Sequence, residues 1–179
     1  MLTEEQIQKN KRRFKILLLK TKRKGMQKLI DLLETKNFFV LPASSKYHCN
    51  YEGGLCEHSL SVYDTFLKIK RNFLNDDIYL TNTNIRIVCL LHDICKIIKH
   101  PETHGQKSID IAKRFVQLHA IEENMILVHM DYFAIKMGDI LTTDDLMKIH
   151  NINNEIRLLH IADYISSQYL EKVMENDTT

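Results

Sequence analysis

The chain has 179 residues, 44% of them apolar, with 25 basic and 23 acidic side chains and a formal net charge of +2. That length suits one domain, or one domain with a small appendage, and is enough to bury a core without staples; the apolar content excludes a disordered chain. No apolar run approaches the roughly 20 residues that span a bilayer, and the opening MLTEEQIQKNKRRFK lacks the apolar stretch of a signal peptide. A cytoplasmic protein with no membrane contact is expected.

Only five glycines and two prolines are available for turns, which favours helices over a many-turned β-protein. Thr3, followed by Glu5 and Gln6, reads as a helix N-cap, and the spacing of Phe14, Leu17 and Leu18 predicts a helix through about residue 22. Gly25 interrupts it, and Met26, Leu29, Ile30 and Leu33 continue an amphipathic pattern to about Lys36. Asn37 to Gly54 holds Pro42, two serines and the Gly53-Gly54 pair and is read as non-helical. Further helices are expected over about Leu55–Phe73, Asn84–Ile98, Gln106–Leu118 and Glu122–His129. Thr142 or Thr143 caps a short helix, and a long one closes the chain over about Asn153–Glu175. The reading is all-α, about seven helices with no strand. Residues 1–36 form a basic N-terminal helical segment packed on or extending the bundle, and residues 37–179 form the domain proper.

The small net charge hides an asymmetry. Lys9, Lys11, Arg12, Arg13, Lys15, Lys20, Lys22, Arg23, Lys24 and Lys28 follow one another with no acid between them. Such a block from Lys9 to Lys28 either meets nucleic acid or an anionic substrate, or forms a solvated helix face. The four cysteines, at 49, 56, 89 and 95, contain no CxxC pair, which argues against a zinc finger and for reduced, mostly buried thiols.

The chemistry concentrates where polar residues interrupt apolar helices. His92-Asp93 follows IRIVCLL, the most apolar helical run in the chain. A buried charge without a partner is expensive, and an ion lying against the helix would satisfy both side chains. His58, in LCEHSLSVY, and Asp163, in RLLHIADYIS, break two other helices in the same way. Taken singly, each suits a core hydrogen bond; taken together, three helices with buried polar groups suit one shared metal. Imidazole and carboxylate donors accept Mn, Fe, Co, Ni or Zn, and Mg where oxygen donors dominate. No P-loop and no nucleophilic Ser or Cys motif is present.

The order His58, His92-Asp93, Asp163, with the local text YEGGLCEHSLSVY, CLLHDICKI and LLHIADYIS, resembles the H…HD…D pattern of HD-domain metal-dependent phosphohydrolases over about residues 38 to 172. GGLCEHSL and the HDxxK form from His92 to Lys96 are similar to small bacterial and phage HD proteins and to the HD domain of 3′–5′ exoribonucleases. The resemblance implies a helical HD bundle and a divalent ion held by His58, His92, Asp93 and Asp163. It implies a phosphate-holding role for Lys96, and a second-metal or phosphate-contacting role for His104 and His129. Asp93, Lys96, His104 and His129 are thus the expected catalytic groups. Cys95 stands where HDxGK proteins have glycine; it either packs behind the site or sensitises it to oxidation. His48 is read as a loop residue within possible reach of substrate, His160 as outside the first ring of ligands, and His100, His119 and His150 as solvated or capping positions.

The expected function is hydrolysis of phosphomonoester or phosphodiester bonds in nucleotides or short oligonucleotides. The first competitor is a 3′–5′ exonuclease on RNA or single-stranded DNA, favoured by the basic segment and disfavoured because the chain has no room for the strand-rich domain those exoribonucleases carry. The second is an inactive nucleotide-binding HD module.

Overall fold

A computed structural model describes residues 1–73, 79–99 and 103–171. Nine α-helices and no strand occur among them. Helix α1 (Glu4–Leu19) starts on a capping box in which Gln6 N–H donates to Thr3 Oγ1 at 3.3 Å and Thr3 N–H donates to Gln6 Oε1 at 2.7 Å. Ile7, Phe14 and Leu18 form its buried stripe. The chain turns at Gly25, which has φ +87°, and enters α2 (Met26–Thr35). A Cβ at Gly25 would lie 1.9 Å from the Phe115 carbonyl oxygen, so only glycine lets this turn press against the opposite backbone.

Phe38 and Phe39, at the start of the non-helical stretch, stack on Phe14 with ring centroids 5.1 and 5.5 Å away. Phe14, Leu18, Leu29 and Ile30 lie in one hydrophobic cluster with Leu55, Phe66, Ile85 and Leu91, so α1 and α2 share the core of the bundle. Helix α3 (Gly54–Phe73) is central: α1, α4 (Asn82–Leu91) and α9 (Arg157–Ile165) all pack on it. Its start is tight, because a Cβ on Gly54 would lie 2.0 Å from the Cys49 carbonyl oxygen. Around this centre lie α5 (Gly105–Lys113), α6 (Ala120–Leu127), α7 (Tyr132–Lys136) and α8 (Thr143–Ile152), the last capped by Thr142, whose Oγ1 accepts from Asp145 N–H at 3.1 Å.

The structure corrects several boundaries. The helix expected to reach Ile98 ends at Leu91; Asp93, with φ −111° and ψ 15°, breaks it, and Ile94–Ile97 form a 3-10 turn. The long closing helix is divided into a 3-10 turn (Asn154–Ile156), α9 and a π-helical turn (Ser166–Leu170); its expected end beyond residue 171 lies outside the described residues. Helix α5 stops at Lys113, and α7 was not anticipated, being only five residues long with Ala134 its one buried side chain. All four cysteines are buried and unpaired.

Candidate metal centre

The break at Asp93 builds the site. Neighbours on a regular helix diverge by about 100°, which would spread His92 and Asp93 to either side of an ion lying against it. With α4 ended at Leu91, His92 Nε2 comes within 3.6 Å of Asp93 Oδ2. Helix α3 brings His58 against them, its Nε2 lying 3.3 Å from His92 Nε2 and 3.7 Å from Asp93 Oδ2. Helix α9 adds Asp163, whose Oδ1 is 3.2 Å from His58 Nε2. His129, just past α6, points its Nε2 at Asp93 Oδ1 across 3.6 Å. Ligand atoms of His58, His92 and Asp93 fall within 4.8 Å of one another, as do those of His92, His129 and Asp163.

The outer hydrogen bonds decide which imidazole nitrogen faces inward. His92 Nδ1–H donates to the Cys89 carbonyl at 2.9 Å, and His129 Nδ1–H donates to the Ile126 carbonyl at 2.7 Å. A carbonyl can only accept, so each neutral ring turns the Nε2 lone pair to the centre. His58 Nδ1–H donates to Glu171 Oε2 at 2.8 Å. Glu171 was not among the expected residues. Nothing in its local sequence marks it, since a glutamate at the end of an amphipathic helix looks like any solvated one. The π-helical turn after α9 carries the chain back toward α3 and places it there.

Charge is held in place against burial. Burial disfavours ionised Asp93, yet Lys96, His92 and His129 hold its carboxyl well below the usual carboxylate range. Burial likewise opposes ionised Asp163, and the His58 hydrogen bond overrides it. His58 loses to burial but gains more from Asp163 and Glu171, and is pushed up to about 10. Burial wins at His92, which falls to about 4 despite Asp93 and Asp163.

The residues present fit a divalent ion. Asp93 Oδ1 and His129 Nε2 are buried and face each other without a hydrogen-bond partner, and three imidazole nitrogens converge on two carboxylates. Buried polar groups normally find partners, so this set calls for one they share. The donors are imidazole and carboxylate oxygen, the set that borderline divalent ions take. Cys95 also lies near, grouped with Asp93 and His104, but burial pushes its thiol up to about 12, and its backbone N–H is spent on Ser108 Oγ at 3.1 Å. Cys95 is fully buried beside the site.

The centre opens into a cleft of about 550 Å³ lined by Tyr47, His48, Lys96, His104, Phe133 and Tyr164, among others. Lys96 Nζ pairs with Asp93 Oδ2 at 2.6 Å and donates to the Ala43 carbonyl at 2.7 Å, leaving one N–H for the cleft. His104 anchors the start of α5 through its N–H, 3.0 Å from Asp139 Oδ2, while its Nδ1 is buried without a partner. His129 groups with His92 and Asp163, whereas His104 groups with Asp93 and Cys95; the two groups share no residue and adjoin at the His92-Asp93 step. His48 is half-buried with its ring 4.7 Å from that of His58, and neither of its nitrogens has a partner. His160 also lines the cleft, its Nδ1–H donating to the His129 carbonyl at 2.8 Å. His119 is exposed and caps α6. His150, expected to be solvated, is buried instead: α8 turns it inward, 3.9 Å from Asp131 Oδ2, and burial lowers its pKa. His100 lies outside the described residues.

The bundle is all-helical, and three histidines and two carboxylates converge in a buried cluster that could hold a metal ion. The family model for the HD domain matches residues 55–168, well over half of the chain, and the chain belongs to the HD domain family. HD domains bind divalent metals, and the family consists mostly of metal-dependent phosphohydrolases. Comparisons with curated proteins and with solved structures gave no match. No helix among the described residues is long and apolar enough to cross a membrane.

Proposed function

We propose that the chain is a divalent-metal-dependent phosphohydrolase that cleaves phosphomonoester or phosphodiester bonds in nucleotides or short oligonucleotides. The observation that carries this reading is the convergence of His58, His92, Asp93, His129 and Asp163, with Asp93 Oδ1 and His129 Nε2 buried and unpartnered at the floor of an open cleft. His58, His92, Asp93 and Asp163 would hold the ion, and His129 stands ready as a further donor. When bound, a divalent ion supplies Lewis acidity, acidifying water and offsetting charge on the phosphoryl oxygens.

The protein side chains do the rest. Asp93 reaches toward Lys96 through Oδ2 and toward His129 through Oδ1, so one carboxylate can orient a water while remaining ionised. Lys96 and His104 both line this cleft, and the free N–H of Lys96 would supply a donor for a phosphoryl group whose charge grows in the transition state. Tyr47, Phe133 and Tyr164 are exposed at the cleft. Aromatic faces beside a phosphate site suit a base, which is what supports a nucleotide over an unadorned phosphate ester.

The test combines His92→Ala with Asp93→Ala, followed by metal analysis and a panel of NMPs, dNTPs, cyclic nucleotides and short RNA with Mn, Mg, Co and Ni. The double variant is expected to lose bound metal and all turnover. Retained metal and activity would sink the reading.

A further inference from the structure

The bundle carries a second cleft that shares no lining residue with the first. It has a volume of about 540 Å³ and lies between the α1–α2 turn and the α5–α6 connection. Arg23, Lys24, Lys28 and Arg114 line it with Phe115, and no lining residue is acidic. An adjoining cleft of about 520 Å³ shares Arg114, Phe115 and Gln117 with it and is also lined by Lys113 and Glu123, which pair with each other.

The folded protein sorts the long basic run into two sets. Arg13 is committed to Asp64, Lys11 and Lys15 to Glu34, and Arg23 to buried Glu122. Lys24, Lys28 and Arg114 make no ion pair and no side-chain hydrogen bond among the described residues, and all three are exposed. Arg114 is far from the others in sequence. It joins them because Gly25 lets the α1–α2 turn seat on the Phe115 carbonyl.

We infer that this groove binds the backbone of a single-stranded nucleic acid whose end enters the metal cleft. The occupant follows from the chemistry. The three uncommitted cations sit on both sides of an open groove, with no buried polar side chain to enclose one phosphate. Such spread point charges match successive phosphodiesters, and half-buried Phe115 offers a face on which a base can stack. The two clefts lie at opposite ends of α5, with His104 before its first residue and Arg114 after its last. Ten residues of helix rise about 15 Å, more than one nucleotide covers. A stacked strand advances about 3.4 Å per nucleotide, so roughly four nucleotides join the clefts.

The inference rests on the phosphohydrolase reading only for what happens at the strand's end, so binding is measured separately from turnover. A fluorescein-labelled oligouridine is titrated with the full chain in EDTA at several KCl concentrations, beside K24Q/K28Q/R114Q. The triple variant is expected to bind at least about tenfold more weakly. Its plot of log Kd against log salt should be shallower by about 2, because three phosphate contacts are lost at about 0.7 each. Its turnover of a mononucleotide with Mn should match that of the unaltered chain. Equal binding by both proteins overturns the inference, as does absence of binding at low salt. A labelled mononucleotide that loses as much affinity as the oligouridine also overturns it, since the groove would then hold a single phosphate. Strand binding as expected, with no hydrolysis of any substrate, leaves the groove standing and fells the phosphohydrolase reading alone.

Discussion

At the scale of single residues, the centre depends on groups that never face the ion position. His58 presents Nε2 inward because Glu171 holds its Nδ1–H at 2.8 Å. Glu171 Oε2 also accepts from the Cys49 thiol at 3.4 Å, so the carboxylate is itself oriented. Glu171→Gln keeps the size of the side chain but removes its charge. It is expected to weaken Mn binding by about 10- to 100-fold, the usual cost of losing such a supporting carboxylate. Calorimetric titration with Mn gives the number, and an unchanged Kd would show that His58 is oriented without it. That His58, His92, Asp93 and Asp163 would converge was legible in the sequence, because each interrupts an apolar pattern. Glu171 was not, because a carboxylate at a helix end costs nothing in water and leaves no mark until another helix packs on it.

At the scale of elements, a buried pair ties the turn of the N-terminal hairpin to the bundle, beside the apolar packing of α1 and α2. Arg23 grips Glu122 with both terminal nitrogens at 2.6 Å. Glu122 is fully buried and also accepts from Asn84 Nδ2 and from His119 N–H, both at 2.8 Å. The α1–α2 turn, α4 and α6 therefore meet on a single carboxylate. Removing one partner of a buried pair strands the other, so Glu122→Ala is expected to destabilise the fold by about 3–5 kcal/mol. Urea denaturation measures it; a loss below about 1 kcal/mol would mean that the hairpin is held by its apolar stripe alone. The helices themselves were largely legible. Thr3 and Thr142 announced their caps, and apolar spacing announced α1 to α6. The break of α4 at Asp93 was hidden, because IRIVCLLHDICKI is periodic enough to continue as helix and only the convergence of polar groups makes the turn worthwhile.

At the scale of the whole molecule, the buried centre links stability to pH. His58 lies at about 10 in the folded protein against an ordinary 6.5, so its contribution is complete below 6.5 and fades as pH climbs toward 10. His92 lies at about 4 against the same 6.5, so its contribution is complete above 6.5 and fades as pH falls toward 4. Asp93 and Asp163, held below their usual range, add a further loss only at lower pH. The EDTA-treated protein should therefore be most stable near pH 6.5 and weaken on both sides. Denaturation midpoints from pH 4 to 10 test this, and a profile rising steadily through pH 9 would contradict it. Mn should narrow the alkaline loss, because an ion replaces the proton that His58 gives up.

The amino-acid pattern by itself determined the helical class, most helix starts and the candidate metal-holding residues. Those properties are local: caps, apolar spacing and polar interruptions are written within a few residues of one another. Only the tertiary structure decided that Glu171 supports His58, that His150 is buried, and that four of the ten basic residues in the run are spent on Glu34, Asp64 and Glu122. Each of these depends on partners tens of residues away, and charge or burial acquires meaning only when packing chooses the neighbour.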